Sequence, residues 1–391
     1  MLSGDLKNSI NVAHLNVSLL ANKADSLQGK PYVVVLHDGS DIRKPDSEKL
    51  EALGWVKDLN GKWIRGYGSF NSVLVDVQTA KLELLRCTPY SNGDPLFLSK
   101  QEAKDYEQGQ LKDATRRKAI EALLESKQHY NLESITRDHI TSAHQAIKAA
   151  NADCLIIHVL DRGFDDEALF DYITDLGDYF VIRMRKHRKD EEGEKLIIKD
   201  LEAEMVKEYD KVVFNEKTYI QAQGRFEWGE WKGYGITRVG FSTKSGAAIF
   251  KEPLLLVSNL EIKGMLMAQL IFELYMHRAK IESVFRFLKQ VLGWEEFLVR
   301  DWETIKNLIA FGFYIGGFFF EIEHELTQDP TIQWVAQLGG GKGKVTRGFV
   351  MKGIAKLLVV ESVNRFRREN HISDEQVQYV LKRFNHLKNF S

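Results

Sequence analysis

The run Leu274-Tyr-Met-His-Arg-Ala-Lys-Ile-Glu-Ser-Val-Phe-Arg-Phe-Leu-Lys289 sets out four reactive side chains: the phenol of Tyr275, the guanidinium of Arg278, the carboxylate of Glu282 and the ammonium of Lys289. Read as one helix at about 100° per residue, the four share a wedge of about 60°, and Leu274, Ile281, Val284 and Leu288 occupy the opposite face. That apolar face predicts docking on a core, with the polar wedge turned outward. Spread along roughly 21 Å of helix, the wedge suits a long polyanion such as a nucleic-acid backbone. Glu282 would repel phosphate unless a divalent cation lay between them. The competing reading is a solvated helix face carrying an ion network.

Two further carboxylates stand where such a cation would need them. Residues 31–37, Pro-Tyr-Val-Val-Val-Leu-His, read as a buried central strand ending at Asp38, within Asp-Gly-Ser-Asp. Residues 154–160, Cys-Leu-Ile-Ile-His-Val-Leu, read as a second strand, ending at Asp161 within Asp-Arg-Gly-Phe-Asp. Open α/β sheets place ligand sites at the carboxyl ends of buried strands, so the two Asp and Glu282 can meet in one crevice. Each Asp alone could equally cap a helix or close a turn, with Asp41 and Asp165 the better cap candidates.

The spacing Tyr275-x2-Arg278-x3-Glu282-x6-Lys289 resembles, at all four positions, the Tyr-Arg-Glu-Lys signature of bacterial insertion-sequence DDE transposases of the insertion-element-four (IS-four) group. Val-Val-Leu-His-Asp38-Gly-Ser-Asp41-Ile-Arg-Lys-Pro45 and Asp161-Arg-Gly-Phe-Asp165 are similar to the segments around that family's first and second catalytic Asp. Pro253-Leu-Leu-Leu-Val-Ser-Asn259 resembles the run that precedes the signature helix, so the likeness spans about residues 30–320.

The resemblance implies an α/β fold: an RNase H-like mixed sheet flanked by helices, with an all-β insertion before the catalytic Glu helix and a helical C-terminal region. The expected order is strands at 31–37, 63–75 and 81–88, helices at about 100–128 and 137–150, a strand at 154–160, a helix at about 165–176 and a strand at 179–184. The expected domains are a short helical segment 1–30, catalytic core 31–189, β-rich insertion 190–260, the core's signature and buried helices 261–325, and a basic helical region 326–391. In that last region helices are expected at 349–368 and 374–388. The family usually carries a helical end-recognition domain before its core. Here only about thirty residues precede the first strand, so the frame is shortened or end recognition falls to residues 1–30 and the basic tail.

Composition bounds the remaining classes. With 391 residues, 44% of them hydrophobic, the chain can bury a sizeable core. Two cysteines make no disulfide framework, Cys154 reads as a buried thiol, and no leader is apparent, which together suit a reducing cytosol; the resemblance implies a bacterial cytoplasmic, nucleoid-associated protein. The apolar run Leu308–Phe320 is shorter than a membrane span and reads as a buried helix. Net charge is −1, but residues 342–391 hold eleven Lys and Arg against four acids, giving +7 there and −8 elsewhere. Local phosphate neutralisation decides nucleic-acid affinity, so this tail, Arg116-Arg-Lys118 and Arg183-Met-Arg-Lys-His-Arg-Lys189 stay candidates for DNA contact. Gly339-Gly-Gly-Lys-Gly-Lys-Val345 lacks the residues of a phosphate-binding loop and reads as a flexible basic hinge.

By resemblance, Asp38, Asp161 and Glu282 are the catalytic and metal-binding residues, holding Mg²⁺ with Mn²⁺ as a substitute. Tyr275, Arg278 and Lys289 grip transposon-end phosphates, with Arg183 and Lys186 beside the crevice. Trp228 or Trp231 of the aromatic run 226–234 could stack a displaced base or could be hairpin core. The implied activity is metal-dependent phosphodiester hydrolysis and strand transfer on double-stranded DNA, both transposon end and target, by a homodimer assembled on that DNA without a membrane. A nuclease lacking strand transfer and an inactive DNA-binding remnant are the alternatives.

Overall fold

The apolar run Val33–Leu36 is completely buried and seeds the sheet on which everything else is placed. The computed structural model describes residues 11–21, 24–58, 60–185, 203–214, 218–243, 247–248, 253–326 and 329–378. The chain divides into two units, Met1–Gly317 and Phe318–Ser391.

Helices α1 (Val12–Ala21) and α2 (Ala24–Leu27) precede β1 (Tyr32–Arg43), β2 (Gly54–Lys57), β3 (Trp63–Val75) and β4 (Leu82–Tyr90). Next come α3 (Lys100–Glu107), α4 (Ala114–Ser126), α5 (Leu132–Ala150), β5 (Leu155–Leu160), α6 (Glu167–Asp175) and β6 (Tyr179–Arg183). Strands β7 (Ala203–Phe214), β8 (Thr218–Trp231), β9 (Tyr234–Thr243) and β10 (Leu254–Ser258) lead to α7 (Met265–Met276), α8 (Ala279–Gln290) and α9 (Trp302–Leu326). The second unit holds α10 (Pro330–Leu338) and α11 (Arg347–Glu369).

The described strands form one sheet in the order β2-β3-β1-β5-β6-β10-β9-β8-β7, with β4 also on β3. β1, β5 and β6 run parallel, which requires crossovers, and α5 and α6 lie in those connections. The result is a mixed α/β architecture, an open mixed sheet flanked by helices, compatible with the RNase H-like expectation. The strands expected as an all-β insertion continue this same sheet outward from β10.

Alternation along the central strands gives the sheet two working faces. Val33, Val35 and Ile156 pack with Ala143 and Ile147 of α5 on one side. Val34, Leu36 and Asp38 point to the other, and α8 packs on β1.

Several boundaries differ from the sequence expectation. β1 does not end at Asp38 but runs to Arg43, because β3 keeps pairing with it through Arg43↔Gly66. The helix expected at 100–128 is two, interrupted after Gln108, where Gly109 takes φ +67°. The N-terminal segment supplies two short helices, and α1 is anchored where Asn16 hydrogen-bonds both the carbonyl and the amide of Cys87. Cys87 and Cys154 are both free and buried.

The expected glycine hinge is a packed turn. An added Cβ at Gly339 would lie 1.9 Å from the Phe349 carbonyl oxygen, and one at Gly353 would lie 2.0 Å from that of Val335. Only glycine lets α10 and α11 approach so closely, and Gly341 N–H donates to the Ala336 carbonyl to close the turn. Residues 374–378 are helical, and the rest of the expected last helix lies outside the described residues. Among the described residues, no helix is long and apolar enough to cross a membrane.

Candidate active site

Register alone brings the first two acids together. Leu36 of β1 lies opposite Val159 of β5, so Asp38 and Asp161, each two residues further on, share a face about one strand spacing apart, roughly 4.8 Å. Asp38 accepts from the Gly39 amide at 2.9 Å and lies across the β1–β3 pair from Asn71. Asp161 precedes the 3-10 turn Arg162–Phe164 but makes no side-chain cap bond, so its carboxylate stays available. Capping falls instead to Asp166, which accepts from Ala168 N–H, while Asp165 takes the Arg185 amide at 2.8 Å.

The third acid comes from the helical run, which is not one helix. α7 ends at Met276 and α8 starts at Ala279, although His277 and Arg278 keep right-handed helical angles. Across the junction, Arg278 N–H donates to the Tyr275 carbonyl and Ile281 N–H to that of Arg278, the three-residue bonds of a tightened 3-10 turn. The polar wedge does not turn outward as expected: Tyr275 is buried and Arg278 and Lys289 face β1, leaving Glu282 the most exposed of the four. Ile281, Val284 and Leu288 are buried, and Arg278 and Glu282 stand one helical turn apart.

Arg278 is the hub. One of its terminal nitrogens donates to Asp38 Oδ2 at 2.9 Å and lies 3.6 Å from Asp161 Oδ2, and the other donates to Glu282 Oε1 at 2.9 Å. Tyr275 donates its hydroxyl to Asp161 Oδ1 at 3.1 Å. Side-chain exposure rises from 15% at Asp38 to 29% at Asp161 and 50% at Glu282, so the crevice opens on the helix side. Burial pushes the Asp38 carboxyl up to about 6, with Arg278 opposing the rise and Asp161 and Glu282 adding to it. The Arg278 guanidinium is raised above its usual value: burial opposes its charge, but Asp38 and Asp161 outweigh that, and its Nε–H has no hydrogen-bond partner among the described residues.

The remaining expected residues divide. Lys289 lies at the other end of α8, donating to the Asp41 carbonyl at 2.6 Å and standing 3.6 Å from Glu295, which also binds Arg43. Arg183, at the end of β6, is near enough to Tyr275 to draw its hydroxyl pKa down, though burial and Asp161 raise it overall. Lys186 lies outside the described residues. Trp231 is core: it is buried against Leu169, Phe170 and Phe180, because the β8–β9 turn tucks beneath α6. That removes it as a base-stacking candidate, and Trp228 is half-buried.

The structure adds residues that sequence reasoning did not find. Behind Asp38, a buried hydrogen-bonded chain runs Thr88–His139–Ser72–His37–His158–Asp178, with links of 2.8, 2.7, 2.8, 2.9 and 3.0 Å. With Asp178 taken as a carboxylate, which can only accept, and His158 as a neutral imidazole, His158 presents Nε2–H to Asp178 and every other link has one direction: Thr88 to His139, His139 to Ser72, Ser72 to His37, His37 to His158. Burial holds His37 and His139 well below the usual histidine range, which keeps both neutral as this direction requires. The only sequence signal was a histidine inside each apolar strand. Asn71 is the other addition: it is fully buried beside Asp38, and its carbonyl oxygen has no partner among the described residues.

Among the described residues, no three His, Cys, Asp or Glu side chains are already arranged to hold a metal ion. The three acids instead surround a guanidinium. Their hard carboxylate oxygens, with the amide oxygen of Asn71 alongside, form a donor set of the kind Mg²⁺ and Mn²⁺ take, and the cation they now hold is Arg278.

Compared with known proteins, the chain matches a family model described as "Transposase DDE domain" over residues 112–314, just over half its length, which includes Asp161 and Glu282. No curated protein matches it.

Proposed function

The chain belongs to the family of transposases with a DDE domain, and from that premise we propose that it carries out Mg²⁺-dependent phosphodiester hydrolysis and strand transfer at insertion-sequence ends, as a member of the IS-four group. The observation that carries this reading is the meeting of Asp38, Asp161 and Glu282 around Arg278, from two parallel strands and one helix. Members of the family generally use divalent metal ions. Bound between these three carboxylates, such ions would supply Lewis-acid activation of a water or DNA 3′-hydroxyl and charge stabilisation of the leaving oxygen.

The chain's own residues then have distinct tasks. Asp38 must lose its proton to serve as a ligand, and its raised pKa places that step near neutrality. Tyr275 fixes the orientation of Asp161 through its hydroxyl. Arg278 is held by carboxylates through its terminal nitrogens, so a phosphate can take those over once metal ions satisfy the acids. Lys289 holds the outer end of α8 against β1, where it and Arg43 can follow the backbone of the same strand.

The partner is double-stranded DNA, engaged by a homodimer. Along α11, Val359, Val363 and Phe366 are exposed at i, i+4, i+7 spacing beside Arg367 and Arg368, a seam that favours a second copy. A bacterial cytoplasmic, nucleoid-associated setting follows from the substrate.

Incubating the purified chain with supercoiled plasmid and Mg²⁺ or Mn²⁺ tests the reading. Asp38→Asn, Asp161→Asn and Glu282→Gln should each abolish strand cleavage while retaining DNA binding in a mobility shift. Wild-type cleavage by Asp161→Asn would sink the assignment, and cutting without joining of 3′-ends to a second DNA would reduce the protein to a nuclease.

A further inference from the structure

The β2–β3 hairpin carries two tryptophans that the acid site does not use. Trp55 and Trp63 are 48% and 57% exposed, unusual for the largest apolar side chain. Each is paired with a cation across the hairpin: the Arg65 guanidinium lies 4.2 Å from the Trp55 ring centre and the Lys57 ammonium 5.2 Å from that of Trp63. Register explains the quartet, since Trp55 faces Arg65 and Lys57 faces Trp63. The four therefore share one side, with the two indoles diagonal to each other at about 7–8 Å.

That side is the face of the acids. Asp38 lies opposite Asn71, and Trp63, Arg65 and Asn71 have the same alternation along β3. Six residues of β3 separate Arg65 from Asn71, or roughly 20 Å along the sheet. Arg43 and Lys289 lie along β1 between the two places. The hairpin segment 54–66 has Lys57, Lys62 and Arg65 against Asp58 alone, and the Asp58 carboxylate is taken by the amides of Asn60 and Lys62.

We propose that the Trp55–Arg65–Lys57–Trp63 face is a stacking platform for unpaired DNA, holding bases of the strand whose phosphate lies at the acid site. Two separated indoles accept two bases without regard to sequence, and the cations at their faces neutralise the phosphates between those bases. A blunt duplex offers no free base face, so the platform distinguishes opened DNA from closed. The identity of the polymer rests on the transposase reading above.

The test compares a labelled forked duplex bearing a single-stranded arm with a blunt duplex, by anisotropy titration of the full chain in EDTA. Trp55→Ala and Trp63→Ala should each weaken forked-DNA binding roughly 5- to 150-fold, leave blunt-duplex binding as it was, and be rescued in large part by Trp→Phe. Equal forked-DNA affinity in wild type and in alanine variants that still melt cooperatively overturns the proposal. Should the alanine variants fail to fold, Lys57→Gln and Arg65→Gln decide: each should flatten the dependence of log affinity on log salt by about 0.7 on the single-stranded arm, and an unchanged slope overturns it. A fall in mass by light scattering with DNA affinity intact would make the hairpin a protein contact and also overturn it. If the indoles grip forked DNA but wild type cuts none with either metal, the platform stands and the transposase chemistry fails.

Discussion

Asp38→Asn offers a prediction whose size can be worked from the site. The Asp38 carboxyl stands at about 6 in place of 3.8, chiefly through burial. A folded value above the unfolded one means that protonated Asp38 favours the fold: its contribution is complete below about pH 3.8 and lost as pH rises through about 6. The difference corresponds to about 3 kcal/mol, at about 1.4 kcal/mol per pH unit. Asparagine never ionises, so D38N should gain on wild type by at most about 3 kcal/mol between about pH 4 and pH 7, with most of the gain below about pH 6. Buried neutral His37 and His139 act with the opposite sign, stabilising above about pH 6.5 and losing that contribution as pH falls. They are common to both proteins and cancel in the difference. Urea unfolding of both proteins in EDTA, at steps from about pH 4 to 7.5, measures it. Magnesium added at the upper end should then raise the melting temperature of wild type far more than that of D38N. A difference between the two proteins that is flat with pH would refute the electrostatic reasoning about the acid cluster.

Three further outcomes are expected. Arg278→Ala should weaken duplex binding and reduce its salt slope by about 0.9 per lost phosphate contact, read from mobility shifts across salt concentrations. Asp178→Asn should cost about 1–3 kcal/mol in urea unfolding, because the fully buried His158 and the half-buried His144 both lean on that carboxylate; a loss under about 0.5 kcal/mol would show the buried chain to be slack. Gly353→Ala should loosen the α10–α11 turn and speed limited proteolysis of the second unit, whereas proteolysis at the wild-type rate would mean that the turn can shift to admit a methyl group.

What the sequence made legible was whatever local pattern decides. Apolar β-branched runs located β1 and β5, and spacing along one helix face located Arg278 and Glu282. Pairing and packing decided the rest. Nothing local in Gly39–Arg43 says that β1 continues past Asp38; the long partner β3 does that. Helix-forming residues run unbroken through His277 and Arg278, yet the turn tightens there. Trp231 lies in the same aromatic run as Trp228, and only the fold of the β8–β9 turn under α6 sends it into the core. His37 and His158 stood out as histidines in otherwise apolar strands, but their role was not legible because their partners Ser72, His139 and Asp178 come from β3, α5 and the loop before β6.

The contact between Asp38 and Arg278 joins residues 240 positions apart, and that separation has a meaning in time. At roughly 5–20 residues per second of synthesis, Asp38 leaves the ribosome roughly 12–50 s before Arg278. Sheet pairing around β1 can begin during that interval, but the guanidinium that compensates the acids and the helix that brings Glu282 do not yet exist. On the proposed reading of the acid site, a nascent chain has no complete site until its last third is made, and early arrest of translation yields fragments that hold Asp38 and Asp161 without Arg278 or Glu282.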